Sequence, residues 1–370
     1  AAQQADYAIA RSYMEQSLSL AQATADRRQE GYILNNLGNV GLLTGDFNMA
    51  NAYYQQALTL RRTSGDRQGE AITLGNLGRM GRAQDNGERA RSYYEENLAI
   101  VRSIGDRHSE ANTLIGLGLL AKDSGDYSEA RRQYEVALAV FQDISTPLGI
   151  AIACHNLGSV AKVSGDYDNA WHNQEKALSL FREVGDRHGE WLTLSELGDI
   201  VFVQANYAQS RRYYEEALAL QQTINGRKQA ATLTRLAEVL LELKEWPAAT
   251  AVLQEAAAVK SNKLLPETNI ALAKLHLAQG DVQSGQAALA FFWNAAEPVE
   301  DPRLCFIGYQ LLQTIGDERA AALLMRAYQT LQTRAGQITH PATRRSFLEN
   351  VPWHRQIRKA WHLQEGTHTH

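Results

Sequence analysis

Small and apolar residues along the chain fall three and four apart, as Leu34, Leu37 and Gly41 do, with polar residues between them. That spacing is the period of a helix with one buried face. The pattern then copies itself. Leu37-Gly38 returns as Leu77-Gly78, Leu117-Gly118, Leu157-Gly158 and Leu197-Gly198, a step of 40 residues each time. Gly45-Asp46 returns at Gly125-Asp126 and Gly165-Asp166, and Gly65-Asp66 at Gly105-Asp106 and Gly185-Asp186. Two turns per period mean two helices per repeat. A helix pair of this size cannot bury its own apolar face, so the copies are expected to stack into an all-α, right-handed superhelical solenoid of antiparallel pairs.

The register predicts helices in order. Asp6 to Thr24 matches the second half of a repeat, so the array opens with a half repeat and reads as a piece of something longer. Five regular pairs follow: 27–43 with 47–62, 67–83 with 87–103, 107–123 with 127–142, 147–163 with 167–183, and 187–203 with 207–223. Asp46, Asp126, Asp166 and Asp281 stand where a carboxylate caps a second helix, and Asp126 with Glu129 has capping-box spacing. Beyond Thr223 the copies degenerate, through Arg227 to Lys260, Pro266 to Ala295 and Asp301 to Ala335, as terminal repeats of a stack do. About eight pairs result. The solenoid is thus expected over 1–335 and a capping tail over 336–370, with a helix start at Thr339-His340-Pro341 and a break at Asn350-Val351-Pro352. Trp353 and Trp361 are expected to pack on the end of the array, and Gly366 to His370 to fray.

Composition changes this picture little. The 370 residues are 44% hydrophobic with a net charge of −4, which supplies no basic stripe for nucleic acid. Two cysteines, Cys154 and Cys305, exclude a disulfide framework and suggest a reducing, cytoplasmic setting. No apolar run is long enough to span a membrane, and no leader sequence is seen. Phosphate loops, HExxH and nucleophile elbows are absent, Cys154 and His155 are adjacent and so face apart on a helix, and no metal or cofactor is expected.

Leu-Gly, then Gly-Asp-Tyr-x-x-Ala, then Tyr-x-x-Ala-Leu, fullest at Leu117-Gly118, Gly125-Asp126-Tyr127, Ala130, Tyr134 and Ala137-Leu138, resembles the tetratricopeptide repeat. The forty-residue length is similar to the variant in kinesin light chains and bacterial regulatory proteins. Residues 344–352, Arg-Arg-Ser-Phe-Leu-Glu-Asn-Val-Pro, resemble the segment closing the repeats of bacterial signal-transduction ATPases with numerous domains, the STAND class. That resemblance implies a nucleotide-binding switch and an effector upstream, with the repeats acting as the sensor.

In a stack of helix pairs the first helices line the concave wall, so groove residues recur every forty positions. One row is Asn36, Asn76, Gly116, Asn156, Glu196 and Arg235; a second is Asn35, Gly75, Ile115, His155, Ser195 and Thr234; a third is Asn39, Arg79, Leu119, Ser159, Asp199 and Glu238. Asparagine both donates and accepts, so Asn36, Asn76 and Asn156 suit either a peptide backbone or a neighbouring helix. In related repeats such a ladder holds extended peptides. Arg79, Arg82, Lys122 and Lys162 would make the middle of the groove basic, and Glu196, Asp199, Glu238 and Glu242 its end acidic. Tyr32, Ile72, Ile115, Ile152 and Leu192 are candidate apolar contacts between the rows. Together these features predict a non-catalytic sensor that takes a protein or peptide ligand, the alternatives being a constitutive scaffold or a small-ligand-binding regulator.

Overall fold

The computed structural model describes residues 2–225, 229–259, 265–294 and 298–367, and every regular element in them is an α-helix. The chain forms two compact units, Ala1–Gly149 and Ile150–His370. The first holds α1 (Ala2–Ala23), α2 (Arg27–Thr44), α3 (Phe47–Ser64), α4 (Arg67–Ala83), α5 (Gly87–Ser103), α6 (Arg107–Asp123) and α7 (Tyr127–Asp143). Helix α8 (Pro147–Val163) crosses the division. The second unit continues with α9 (Tyr167–Val184), α10 (Arg187–Val203), α11 (Tyr207–Asn225), α12 (Ala230–Glu242), α13 (Trp246–Ala258) and α14 (Pro266–Ala278). It closes with α15 (Val282–Leu289), α16 (Phe291–Asn294), α17 (Pro302–Thr314), α18 (Ala320–Gln337), α19 (Pro341–Glu349) and α20 (Pro352–Thr367).

Consecutive helices pack as antiparallel pairs, which is the all-α architecture that the repeat requires. Each Leu-Gly holds its pair together in a specific way. A side-chain carbon on Gly38 would lie 2.4 Å from the ring of Tyr54, and one on Gly118 2.4 Å from that of Tyr134, so glycine makes room for the buried tyrosine of the partner helix. Tyr54, Tyr134 and Tyr214 are among the largest fully buried side chains of the chain.

Caps set the helix boundaries. Asp46, Asp126, Asp166 and Asp281 each accept from an amide of the first turn, and so do Asp26, Asp66, Asp106 and Asp186 ahead of the first helices. The capping box at Asp126 is only half formed. Asp126 accepts from the Glu129 amide, but the Glu129 carboxylate turns to Arg132 and Gln133, and the Asp126 amide is taken by Ala121.

Three expectations need correction or limiting. The copy expected over 266–295 has a second helix that starts at Val282, stops at Leu289 and resumes as α16, and Ala295 lies outside the described residues, as do Arg227 and Lys260. The backbone of Gly366 and Thr367 is helical rather than frayed, and residues 368–370 lie outside the described set. The tail does more than cap a neighbour. Trp361 stacks on Tyr328 of α18 at 4.7 Å, as expected, but Ser346 of α19 also donates to the Ser164 carbonyl at the end of α8, 182 residues away, at 2.6 Å.

Candidate functional site

In the first unit α2 touches α4 and α4 touches α6; in the second α10 touches α12, α12 touches α14 and α14 touches α17. First helices therefore form the inner face of each unit, and the candidate rows lie on them.

The third row has an inward task in places. Tyr54 donates its hydroxyl to Asn39 at 2.7 Å and Tyr214 donates to Asp199 at 2.6 Å, so both of these residues are acceptors for core tyrosines. Leu119 holds the same place opposite Tyr134, whose buried hydroxyl is left without a partner. In the asparagine row, Asn76 donates to Asn35 across α2 and α4 at 3.0 Å, and Asn156 donates to Ile152 of its own helix at 2.9 Å. Asn35, Asn76 and Asn156 are buried, whereas Asn36 and Asn39 are partly exposed.

His155 is anchored beneath the surface. Its Nδ1 lies 3.1 Å from the fully buried Gln174 and 3.2 Å from Thr193, and the Gln174 amide donates to the His155 carbonyl. The glutamine that replaces the repeat's tyrosine thus exchanges an aromatic contact for a polar tie. Burial pushes the neighbouring Cys154 thiol up, which removes thiolate character.

The expected run from basic middle to acidic end is not what the second unit builds. Lys162 pairs with Glu196 and Asp199 at 2.7 Å, Arg235 with Glu238 at 2.8 Å, Arg303 with Glu238 at 3.1 Å and Lys274 with Glu242 at 3.4 Å. Four cations meet four carboxylates, so the acidic end is neutralised. Burial would raise Glu238, but Arg303 and Arg235 outweigh it and hold the carboxyl down at about 2; Asp199 is likewise held low by Lys162. Arg303 and Lys274 come from the degenerate repeats, where lost register hides them from a forty-residue alignment.

The first unit keeps its cations more open. Arg79 is exposed and donates to Asn76 at 3.4 Å, Arg82 meets the exposed Asp123 at 3.4 Å, and Lys122 is partly buried. Arg79 and Arg82 edge a pocket of about 460 Å³ between α4 and α6 whose lining includes Ile72, Asn76, Tyr94, Asn97, Ile115 and Gly116. Asn97 was not foreseen. Its signal is that the matching residues of other repeats, Ala57, Ala137, Ala177 and Ala217, are all alanine.

Among the described residues no cluster of metal-ligating side chains occurs, and no helix is long and apolar enough to cross a membrane. No curated protein matches the chain in sequence. Solved structures share its fold. A STAND protein with a tetratricopeptide repeat sensor from Pyrococcus horikoshii superposes with a TM-score of 0.58 at 16% identity, over 86% of this chain and 50% of that one. NprR in complex with its cognate peptide NprX gives 0.55 at 15% identity, over 87% and 98%. The Rap conjugation regulator of plasmid pLS20 in complex with the Phr* peptide gives 0.54 at 13% identity, over 82% and 95%. At these identities the likeness is one of fold. The sequence model for the tetratricopeptide repeat matches residues 1–63, 69–143, 149–223 and 192–262, and on that coverage the chain belongs to the tetratricopeptide repeat family.

Proposed function

We propose that the inner face of the repeats is a non-catalytic binding surface for a peptide or protein segment, and that the chain is the sensor part of a larger STAND-type signalling ATPase. The observation that carries the binding reading is the pocket between α4 and α6, where the cationic side chains of Arg79 and Arg82 and the polar Asn76 stand beside exposed Ile72. Two of the fold neighbours hold peptides, and one is a STAND sensor, which supports both halves of the reading. Residues 344–352 support the second half through their resemblance to the segment that closes STAND repeats. In this scheme ligand binding favours one curvature of the repeats, and the upstream switch responds to that choice.

Selection of a displayed random peptide library on the whole chain tests the binding half. Enriched peptides should lose about tenfold or more in affinity for an Asn36→Ala/Arg79→Ala variant, the loss of one or two hydrogen bonds to a charged or amide group. Undiminished affinity places the binding elsewhere, and the absence of any enriched peptide ends the peptide reading. The full reading frame tests the other half: a nucleotide-binding module in the same polypeptide supports it, and its absence overturns it.

A further inference from the structure

A polar contact recurs where the last turn of a second helix meets the first turn of the next first helix. Arg62 Nε donates to Glu70 at 2.9 Å, Arg102 Nε to Glu110 at 2.8 Å and Arg182 Nε to Glu190 at 2.8 Å. In two of these copies the same guanidinium goes on to the following second helix, from Arg62 to Glu96 and from Arg182 to Glu216. The arginine there bridges two carboxylates on different helices. Glu70 and Glu110 also hold a second arginine each, Arg67 at 2.7 Å and Arg107 at 2.5 Å.

The first copy keeps the carboxylate and lacks the bridge. Glu30 stands forty residues before Glu70, but Gln22 replaces Arg62 and Gln56 replaces Glu96. Glu30 pairs with Arg27 at 2.9 Å and accepts from the Gln22 amide at 3.2 Å, so a neutral group holds the place of the second cation. Its side chain keeps 10% of its surface exposed, and a carboxylate has lone pairs left after two bonds. Glu30 and the exposed Gln56 both line a pocket of about 640 Å³ between α2 and α3, together with Leu34, Thr59, Leu60 and Thr63. This pocket lies within one helix pair, between the start of α2 and the end of α3, and is separate from the rows on the inner face.

We propose that this pocket binds an arginine side chain of a partner protein, which supplies from outside the guanidinium that Arg62 and Arg182 supply from within the chain. Glu30 accepts from one edge of the guanidinium, the Gln56 side-chain oxygen accepts from the other, and Leu34 and Leu60 flank the methylenes. Arg27 does not oppose this, since Glu70 and Glu110 each hold two guanidinium groups in the same arrangement. Lysine carries its charge at one point and lacks the planar fork that spans two acceptors. The site is independent of the inner-face reading above, and each can stand without the other.

The probes are N-acetyl-arginine-N-methylamide, its lysine and citrulline counterparts, and free arginine, added to the whole chain with the Leu34 and Leu60 methyl resonances as the readout. The blocked arginine should shift both methyls saturably and bind about tenfold more tightly than the citrulline probe, which keeps the shape and loses the charge. The lysine probe should fall between them. Gln22→Arg copies Arg62, so that variant should fold, unfold at no lower denaturant than the parent, and lose the shifts because its own guanidinium fills the pocket. Gln56→Glu copies Glu96 and should tighten the arginine probe about fivefold, the worth of one partly exposed ion pair. The proposal is overturned by the absence of a saturable shift, by citrulline binding as tightly as arginine, or by shifts that persist unchanged in Gln22→Arg. Free arginine should bind no more tightly than the blocked residue; tighter binding would assign the pocket to the amino acid itself and overturn the protein partner.

Discussion

Tyr54 and Tyr134 fill the same place in their repeats and differ in one partner, since Asn39 accepts from the first and Leu119 offers nothing to the second. Burial pushes the Tyr54 hydroxyl up to about 12, so it remains a donor that needs an acceptor. Asn39→Ala should therefore cost about 1–3 kcal/mol in denaturant unfolding, because the hydroxyl stays buried and loses its partner. Tyr54→Phe in that background should recover most of the loss, and a variant as stable as the parent would show that water replaces Asn39. A second residue-scale effect lies in the turns. Ala205 adopts φ 59 at the place where Gly45, Gly125 and Gly165 occur in other repeats. Left-handed backbone costs a residue with a Cβ about 1 kcal/mol, so Ala205→Gly should raise stability by somewhat less than that, after the entropy of glycine is counted. A lower unfolding midpoint would refute this.

Between elements, the forty-residue step made most of the helices legible: α4, α6, α8 and α10 have the bounds that the register predicts. It could not reveal the clasp between α19 and the α8–α9 turn, because a repeat encodes contacts between neighbours and this one joins residues 182 apart. For the same reason it did not pair Arg303 with Glu238, whereas the Asn97 substitution was visible in the alignment and needed only the pocket to give it meaning. The clasp is tight at Gly165. This residue has φ 78, and a Cβ there would sit 2.8 Å from Asn350 Cβ and 3.1 Å from the Val351 amide. Gly165→Ala should release α19 and α20, seen as faster hydrogen exchange at Phe347 and Val351. Gly185→Ala is the control, since Gly185 shares the left-handed backbone at φ 74 but has nothing within 4 Å of its Cβ position. Equal acceleration in both variants would mean that backbone strain, not the clasp, is responsible.

Across the whole molecule, charge and burial make the second unit responsive to acid. His354 lies 1% exposed between Phe347 and Trp353, its Nδ1 bonded to the Phe347 carbonyl and its Nε2 without a partner. Burial brings its pKa from 6.5 down to about 4, with Arg334 adding to the fall and Asp301 opposing it. Between those two values the unfolded chain binds a proton that the folded chain does not. Stability is thus fully present above pH 6.5, declines as the pH falls toward 4, and changes no further from this group below that, for a loss of at most about 3 kcal/mol. Glu238 follows at lower pH. Its carboxyl, held at about 2 by Arg303 and Arg235 against a usual 4.5, gives up its contribution as the pH falls from 4.5 toward 2. The two groups therefore predict two successive limbs in the urea midpoint of the second unit, followed by hydrogen exchange at Val351 and Leu240. His354→Gln should flatten the limb from pH 6.5 to 4 and leave the lower one in place. A profile that keeps its upper limb in that variant would assign the acid sensitivity to another group.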